Sequence, residues 1–155
     1  MENGAVSIRI RPMQPEELVD TARLWCRSKE EAYLPWLAIE ASYSFADNLG
    51  YFRDTVCANH QVWLAERDGV VVGLMAQAGD FIDQLFVDPL HQRSGVGTAL
   101  LGWARRQSPA GLALLTFRRN ARARCFYEKH GFRAVAFGVS PAPESEPDVR
   151  YEWRP

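Results

Sequence analysis

The chain has 155 residues, 47% apolar and 24% charged, with 18 basic side chains against 19 acidic ones. That length fits one domain over residues 1–155 with a single good core, and the balance is that of a soluble globular protein. No apolar run approaches the ~18 residues of a membrane span, and Met1–Gly4 lacks the basic and apolar regions of a signal peptide. A cytoplasmic protein with no membrane partner is therefore the expectation. Cys26, Cys57 and Cys125 are odd in number and contain no C-x-x-C pair, which supports neither a disulfide framework nor a metal site. They read as small buried hydrophobes.

Ser7 to Arg11 alternates apolar and polar residues, as a half-buried strand does. Pro15-Glu16-Glu17 then opens a helix, with proline and acids in the first turn, and Leu18, Ala22 and Trp25 fall on one face of it. Tyr33 to Leu37 interrupts this pattern before a second helical stretch over 45–58. Gln61 to Arg67 and Val70 to Ala76 read as strands joined by an Asp68-Gly69 hairpin turn. Gly79-Asp80 marks a further turn before a strand over Phe81 to Val87.

The segment after that strand is the most telling in the chain. Gln92-Arg93-Ser94-Gly95-Val96-Gly97 leads from the strand end at Asp88-Pro89 into an apolar helical pattern, Thr98 to Ala104. Glycines permit close backbone approach and turns closed to other residues. A helix N-terminus presents unpaired N–H groups and a partial positive charge. Together these form a cradle for phosphate oxygens. A tight turn without a ligand fits the same residues. A Rossmann fingerprint does not, because Leu100 stands where a third glycine is needed, and no Gly-Lys-Ser/Thr follows for a Walker loop.

Leu112 to Phe117 reads as a buried strand, 121–130 as a helix with Gly131 as its C′ residue, and Phe132 to Val139 as a returning strand. Pro141 to Pro147 reads as a mobile loop and Val149 to Trp153 as a last strand. The order β-α-α-β-β-β-α-β-α-β-β gives a mixed α/β sheet with helices on both faces. From Pro89 to Tyr127 there is no acid, yet Arg93, Arg105, Arg106, Arg118, Arg119, Arg122 and Arg124 lie inside. Such a segment attracts a polyphosphate ligand. With no nucleic-acid motif and a slightly acidic chain, no nucleic-acid partner is expected, and for Arg105 and Arg106 a solvated face is the preferred reading.

Three words occur in order: Leu85-Phe86-Val87-Asp88-Pro89, then Gln92-x-x-Gly95-x-Gly97, then Asn120-x-x-Ala123-x-x-Phe126-Tyr127-Glu128-Lys129-His130-Gly131-Phe132. Their combination resembles the GNAT superfamily of acetyl-CoA-dependent N-acetyltransferases, strongly over residues 80–133 and more weakly before. The resemblance implies an α/β (α+β) fold with a mostly antiparallel central sheet, splayed into a V between its fourth and fifth strands. It also implies acetyl-CoA as co-substrate, no metal, and direct transfer to a primary amine, either a small molecule or a peptide. Homodimerisation is left open. A non-catalytic acyl-CoA-binding sensor or interaction module on the same fold is the alternative, and an arginine-based RNA-binding domain a third class.

Carried over residue by residue, the resemblance gives Leu85, Phe86 and Val87 main-chain contacts to the pantetheine arm. Gln92, Arg93, Ser94, Gly95, Val96, Gly97 and Thr98 match the pyrophosphate loop, and Asn120 a contact to the cofactor arm that its use as a helix N-cap does not preclude. Tyr127 matches the tyrosine near the CoA sulfur, where a proton donor assists the leaving thiolate. Asp83, two residues before Leu85 and so on the same face of a regular strand, is the candidate base. Glu144, Glu146 and His60 are weaker ones, and His130 reads as decoration of a helix end. Tyr33, Trp36, Phe45 and Phe52, with the 141–147 loop, are the candidate acceptor site. Core packing is the competing use of these aromatics.

Overall fold

The computed structural model of the chain describes residues 7–155, so Met1–Gly4 lies outside the described residues. Seven strands form one sheet in the order β1-β2-β3-β4-β5-β7-β6. They are β1 (Ile8–Pro12), β2 (Gln61–Arg67), β3 (Val70–Ala78), β4 (Phe81–Val87), β5 (Leu112–Phe117), β6 (Arg133–Val139) and β7 (Pro147–Trp153). The helices are α1 (Leu18–Tyr33), α2 (Phe45–Tyr51), α3 (Val96–Gln107) and α4 (Ala121–Lys129). Pro15–Glu17 forms a 3₁₀ turn before α1 rather than its first turn. After α2 the chain continues as a π-helical stretch, Phe52–Cys57. Within the single-sheet arrangement, the last strand starts two residues earlier than the apolar alternation suggests, at Pro147.

Every strand pairing but one is antiparallel. The exception is β4 with β5, which run parallel and pair only at Phe81↔Ala113 and Ile82↔Leu114. Past that point β4 stays with β3 and β5 stays with β7, and the two arms diverge. The sheet is thereby split into a V, as the family resemblance implies. Two cores fill its faces. Val72, Met75, Leu100, Leu101, Leu114 and Tyr151 are fully or almost fully buried under α3 and α4. Trp25, Phe52, Val56, Leu64 and Leu74 are buried under α1 and α2.

β4 is not a regular strand. Ala76 pairs Gln84 and Gln77 pairs Ile82, so Asp83 is left out of the ladder as a bulge. Ile82, Leu85 and Val87 all pack against the first core although 82 and 85 are three apart. The two-residue alternation resets across Asp83, and such bulges re-aim side chains. Asp83 consequently does not follow the simple same-face relation to Leu85. Its carboxylate lies 3.9 Å from His60 Nε2 and accepts a hydrogen bond from Gln84 Nε2 at 3.1 Å.

The N-terminus of α3 is held close to the sheet by Gly73. A Cβ built there lies 2.9 Å from Val96 Cγ1 and 3.2 Å from the Phe86 carbonyl oxygen. Val96 is 1% exposed, so it has no room to yield. Gly73→Ala should therefore lower stability by about 1–3 kcal/mol, the usual cost of overpacking. A thermal melt showing an unchanged midpoint would contradict this close approach.

Candidate active site

A cleft of about 1920 Å³ runs through the V, between the diverging arms of β4 and β5 and under α1 and α4. Its walls include Leu85, Phe86 and Val87 on β4, Gln92, Arg93, Gly95, Gly97 and Thr98 after it, and Asn120 and Tyr127 from α4. Ser94 and Val96 lie in the same turn but point elsewhere. The Ser94 hydroxyl donates to the His91 carbonyl and the Ser94 carbonyl accepts from Arg67 at 3.1 Å, while Val96 is core. Only their main chain is available to a ligand.

The turn itself is built from two left-handed residues, Arg93 at φ +60° and Gly95 at φ +87°. Gly95 caps α3, leaving the first-turn amides without partners inside the helix. Gly97 serves a different purpose. A Cβ on it meets the Phe126 ring at 3.2 Å, so the glycine lets α4 close on α3. His130 completes this junction. Its Nδ1 donates to the Phe126 carbonyl at 2.8 Å, and its Nε2 lies in hydrogen-bond contact with the Thr98 hydroxyl at 3.1 Å. It is a tie between helices rather than end decoration.

The acid-free arginine segment disperses on folding. Arg93, Arg119 and Arg122 line the cleft. Arg124 donates to the Tyr151 hydroxyl at 3.0 Å, and Arg118 stacks over Phe137. Arg105 is not solvated as expected. It donates to the His130 carbonyl and covers the Trp153 ring. Arg119 is tied to Glu146 through two hydrogen bonds of 2.7 and 2.8 Å.

Tyr127 is 7% exposed. Its hydroxyl has no hydrogen-bond partner among the described residues and opens to the cleft. Burial pushes its pKa well above the usual tyrosine value. Tyr33 lies opposite, its ring edge-on to Phe86 and Phe117. Burial and then the neighbouring Tyr127 push its hydroxyl up in the same direction. Asn120 is an N-cap, accepting from the Ala123 amide at 3.2 Å.

At the other end of the cleft, Tyr33 and Trp36 form part of the wall, whereas Phe45 and Phe52 do not. Phe52 is fully buried against Trp25. Phe45 packs on the same core beneath the Arg23 guanidinium. Among the cleft residues not proposed as site residues from the sequence are Lys29, Glu40, Tyr43, Tyr51 and Gln84, together with Trp25, which was read only as part of a helix face. Lys29 sits 3.6 Å over the Trp25 ring, donates to Asn48 at 2.9 Å and pairs with Glu40 at 3.5 Å. Burial lowers its pKa while Glu40 opposes the shift. Trp25 Nε1 donates to Gln84 Oε1 at 2.9 Å, which joins α1 to the bulged part of β4. A lysine four residues after Trp25, inside the apolar stripe of α1, was the available signal for this cluster.

Among the described residues no group of three potential ligands gathers to hold a metal, and no helix is long and apolar enough to cross a membrane. A cleft opened by strand divergence, with a glycine turn at a helix N-terminus on one side and a buried tyrosine hydroxyl within, defines an acetyltransferase of the GNAT type. The chain belongs to that superfamily. Residues 58–134 match the acetyltransferase (GNAT) domain family. The chain is 34% identical over 127 residues to the peptidyl-lysine N-acetyltransferase YiaC of Escherichia coli K12, covering 81% of this chain and 84% of that one. Its fold is similar to the solution structure of apo YjaB from Escherichia coli, with a TM-score of 0.74, 28% identity, and 95% and 97% of the two chains covered. It is also similar to the PaiA N-acetyltransferase of Thermoplasma acidophilum in complex with coenzyme A, with a TM-score of 0.70, 19% identity, and 96% and 99% covered.

The mouth of the cleft carries an internal anion. Glu31 on α1 pairs with Arg122 on α4 at 3.1 Å and accepts from Gln92 at 3.3 Å, while Arg122 also donates to Gln92. A carboxylate thus engages two side chains of the glycine-turn end. Glu31→Gln should tighten CoA binding about twofold to fivefold at low salt, the range of a surface charge interaction, and Arg122→Gln should weaken it. Calorimetry giving weaker CoA binding for Glu31→Gln would contradict this competition.

Proposed function

We propose that this chain moves the acetyl group of acetyl-CoA directly to a primary amine, within a complex holding both substrates. The observation that carries this reading is the parting of β4 from β5 beyond Ile82 and Leu114. It frees main-chain groups of Leu85 to Val87 on the side facing the cleft, where an extended pantetheine arm can pair with them as another strand would. The pyrophosphate then reaches the amides that follow Gly95, with Arg93 and Arg122 alongside. A β4 amide at the thioester carbonyl would stabilise the oxyanion that forms during attack.

The chemistry is then divided between two ends of the cleft. The amine attacks the acetyl carbonyl, the carbon–sulfur bond breaks, and the thiolate leaves. Tyr127 donates the proton that the departing sulfur takes up, and the proton that the attacking nitrogen sheds as the intermediate collapses restores its hydroxyl. Its raised pKa keeps that proton on the hydroxyl throughout the physiological range. An amine arrives protonated, and Asp83, turned by the bulge toward the acceptor end, takes its proton through water. Cys125 is exposed and is assigned no covalent step.

A lysine side chain of a peptide is the acceptor we propose. YiaC is named for that activity, and the acceptor end of this cleft supports it with aromatic rings and carboxylates suited to a cation. Release of free thiol from acetyl-CoA in the presence of lysine peptides tests the reading, with turnover expected and its absence across a panel of amines contradicting it. Tyr127→Phe should cut turnover by about 10²–10⁴-fold where chemistry limits, less if water substitutes, with acetyl-CoA affinity retained. Wild-type turnover in this variant would make Tyr127 a packing residue. Asp83→Asn should lose most at low pH, where the free amine is scarcest, and recover as pH rises. A constant ratio to wild type from about pH 6 to 9.5 would remove the proton-accepting role.

A further inference from the structure

The segment between β6 and β7, residues 140–146, is an ordered strap. The Ser140 amide donates to the Glu146 carbonyl at 2.9 Å, and the Glu146 amide donates back to Ser140 Oγ at 3.0 Å. The Ser145 amide closes the loop onto the Pro141 carbonyl at 3.2 Å. Arg119, at the end of β5, fixes this strap from below. Its Nε and Nη2 hold both oxygens of Glu146, which is 8% exposed. The same Nη2 donates to the Trp36 carbonyl at 2.9 Å, and the guanidinium lies 5.0 Å over the Trp36 ring. One side chain therefore spans both walls of the acceptor end, the strap and the turn after α1. The planar fork of arginine permits this, and a lysine cannot reproduce it.

The strap carries Glu144 at its tip, over the cleft. Glu31, Glu40 and Glu146 are each paired with a cation. Glu144 is not. It accepts from the Tyr43 hydroxyl at 3.3 Å, and no arginine or lysine forms an ion pair with it among the described residues; its charge acts on the Lys29 ammonium only from a greater distance. Asp83 faces the same space. Tyr51 lines the same cleft, and its hydroxyl is pushed above its ordinary value first by burial and then by the charges of Asp83 and Glu144.

We propose that Glu144 is the residue that selects a cationic acceptor, and that Arg119 is the positioning residue that holds it there. The inference rests on the amine-acetylation reading given above. Glu144 receives the incoming ammonium as a charge-assisted hydrogen-bond acceptor, with Tyr43 orienting its carboxylate. Asp83 then removes the proton and leaves the amine free to attack. The two acids act in sequence on one cation. Arg119 touches neither acceptor nor cofactor. It makes the strap and the Trp36 turn into one rigid mouth, so that Glu144 is not lost to solvent.

Steady-state kinetics with a lysine peptide at saturating acetyl-CoA, with calorimetry of that peptide on the CoA complex, test the proposal. Glu144→Gln keeps the shape and removes the charge. The peptide KM and Kd should both rise about tenfold or more, the order of one hydrogen bond to a charged group, with a far smaller fall in kcat. The wild-type advantage should shrink as salt is raised. Arg119→Gln should raise the peptide KM comparably, leave the CoA Kd in place, and add little when combined with Glu144→Gln. Tyr43→Phe, which loses only a hydroxyl, should give a smaller shift in the same direction.

Unchanged peptide affinity in Glu144→Gln would overturn the proposal while leaving acetyl transfer standing. Weaker CoA binding in Arg119→Gln would make that residue a phosphate ligand and overturn its positioning role. A wild-type protein that acetylates no amine would defeat the reading of function. The calorimetric comparison would still decide whether Glu144 binds the cation.

Discussion

Backbone hydrogen-bonding groups must find partners, and most of this molecule follows from one place where the sheet denies them. β4 and β5 share only two residue pairs before their directions diverge. The divergence is sustained from both sides, because β3 holds β4 along most of its length and β7 holds β5 along all of it. The half of β4 that includes Leu85 to Val87 therefore lacks a ladder partner on one side. An interior that left such groups unsatisfied would be costly, and the fold instead opens them to a cleft wide enough for a ligand to act as the missing strand. The bulge at Asp83 sits where this half begins. It takes an acid out of regular strand alternation and leaves it on the wall of the cleft.

Charge is sorted along the cleft to match. The glycine-turn end carries Arg93 and Arg122 beside the unpaired amides of α3, and the opposite end carries Asp83 and Glu144 among Tyr43, Tyr51 and Trp36. On the function proposed above, a ligand with an anionic head and an acceptor with a cationic group would be drawn to opposite ends and meet near Tyr127. The pairing of Arg119 with Glu146 removes one arginine from the first group and spends it on the architecture of the second. Glu31 works against the first group by engaging Gln92 and Arg122 from across the mouth.

The strands β2, β4 and β5 were legible in the sequence to the residue, because each is a β-branched and apolar run bounded by Gly, Asp-Gly or Asp-Pro turns. The glycine turn and the helix after it were legible for the same local reason, as was Gly131, which sits at φ +88° after α4. The family resemblance supplied the V, which no local pattern encodes, since it depends on where two distant strands stop pairing. The bulge at Asp83 was hidden likewise, because it is a mismatch of register with β3. Aromatic residues in the N-terminal half were the least legible. Tyr33 and Trp36 line the cleft and Phe52 is core, yet all three are large rings near helix ends. Glu40 lies in a short 3₁₀ segment and Tyr43 caps its C-terminal end, with no periodicity to place either, and only tertiary contact brings them to Lys29 and Glu144.

Hydrogen–deuterium exchange with and without CoA probes the unpaired half of β4 directly. If the pantetheine arm completes that strand and the pyrophosphate caps α3, the amides of Leu85 to Val87 and of Val96 to Thr98 should slow markedly in the complex. Those of the distant edge strand β1 should be unaffected. Saturating CoA that leaves β4 and the α3 turn exchanging as in the free protein would mean that the cofactor does not lie in the V, and that the opening between β4 and β5 has another purpose.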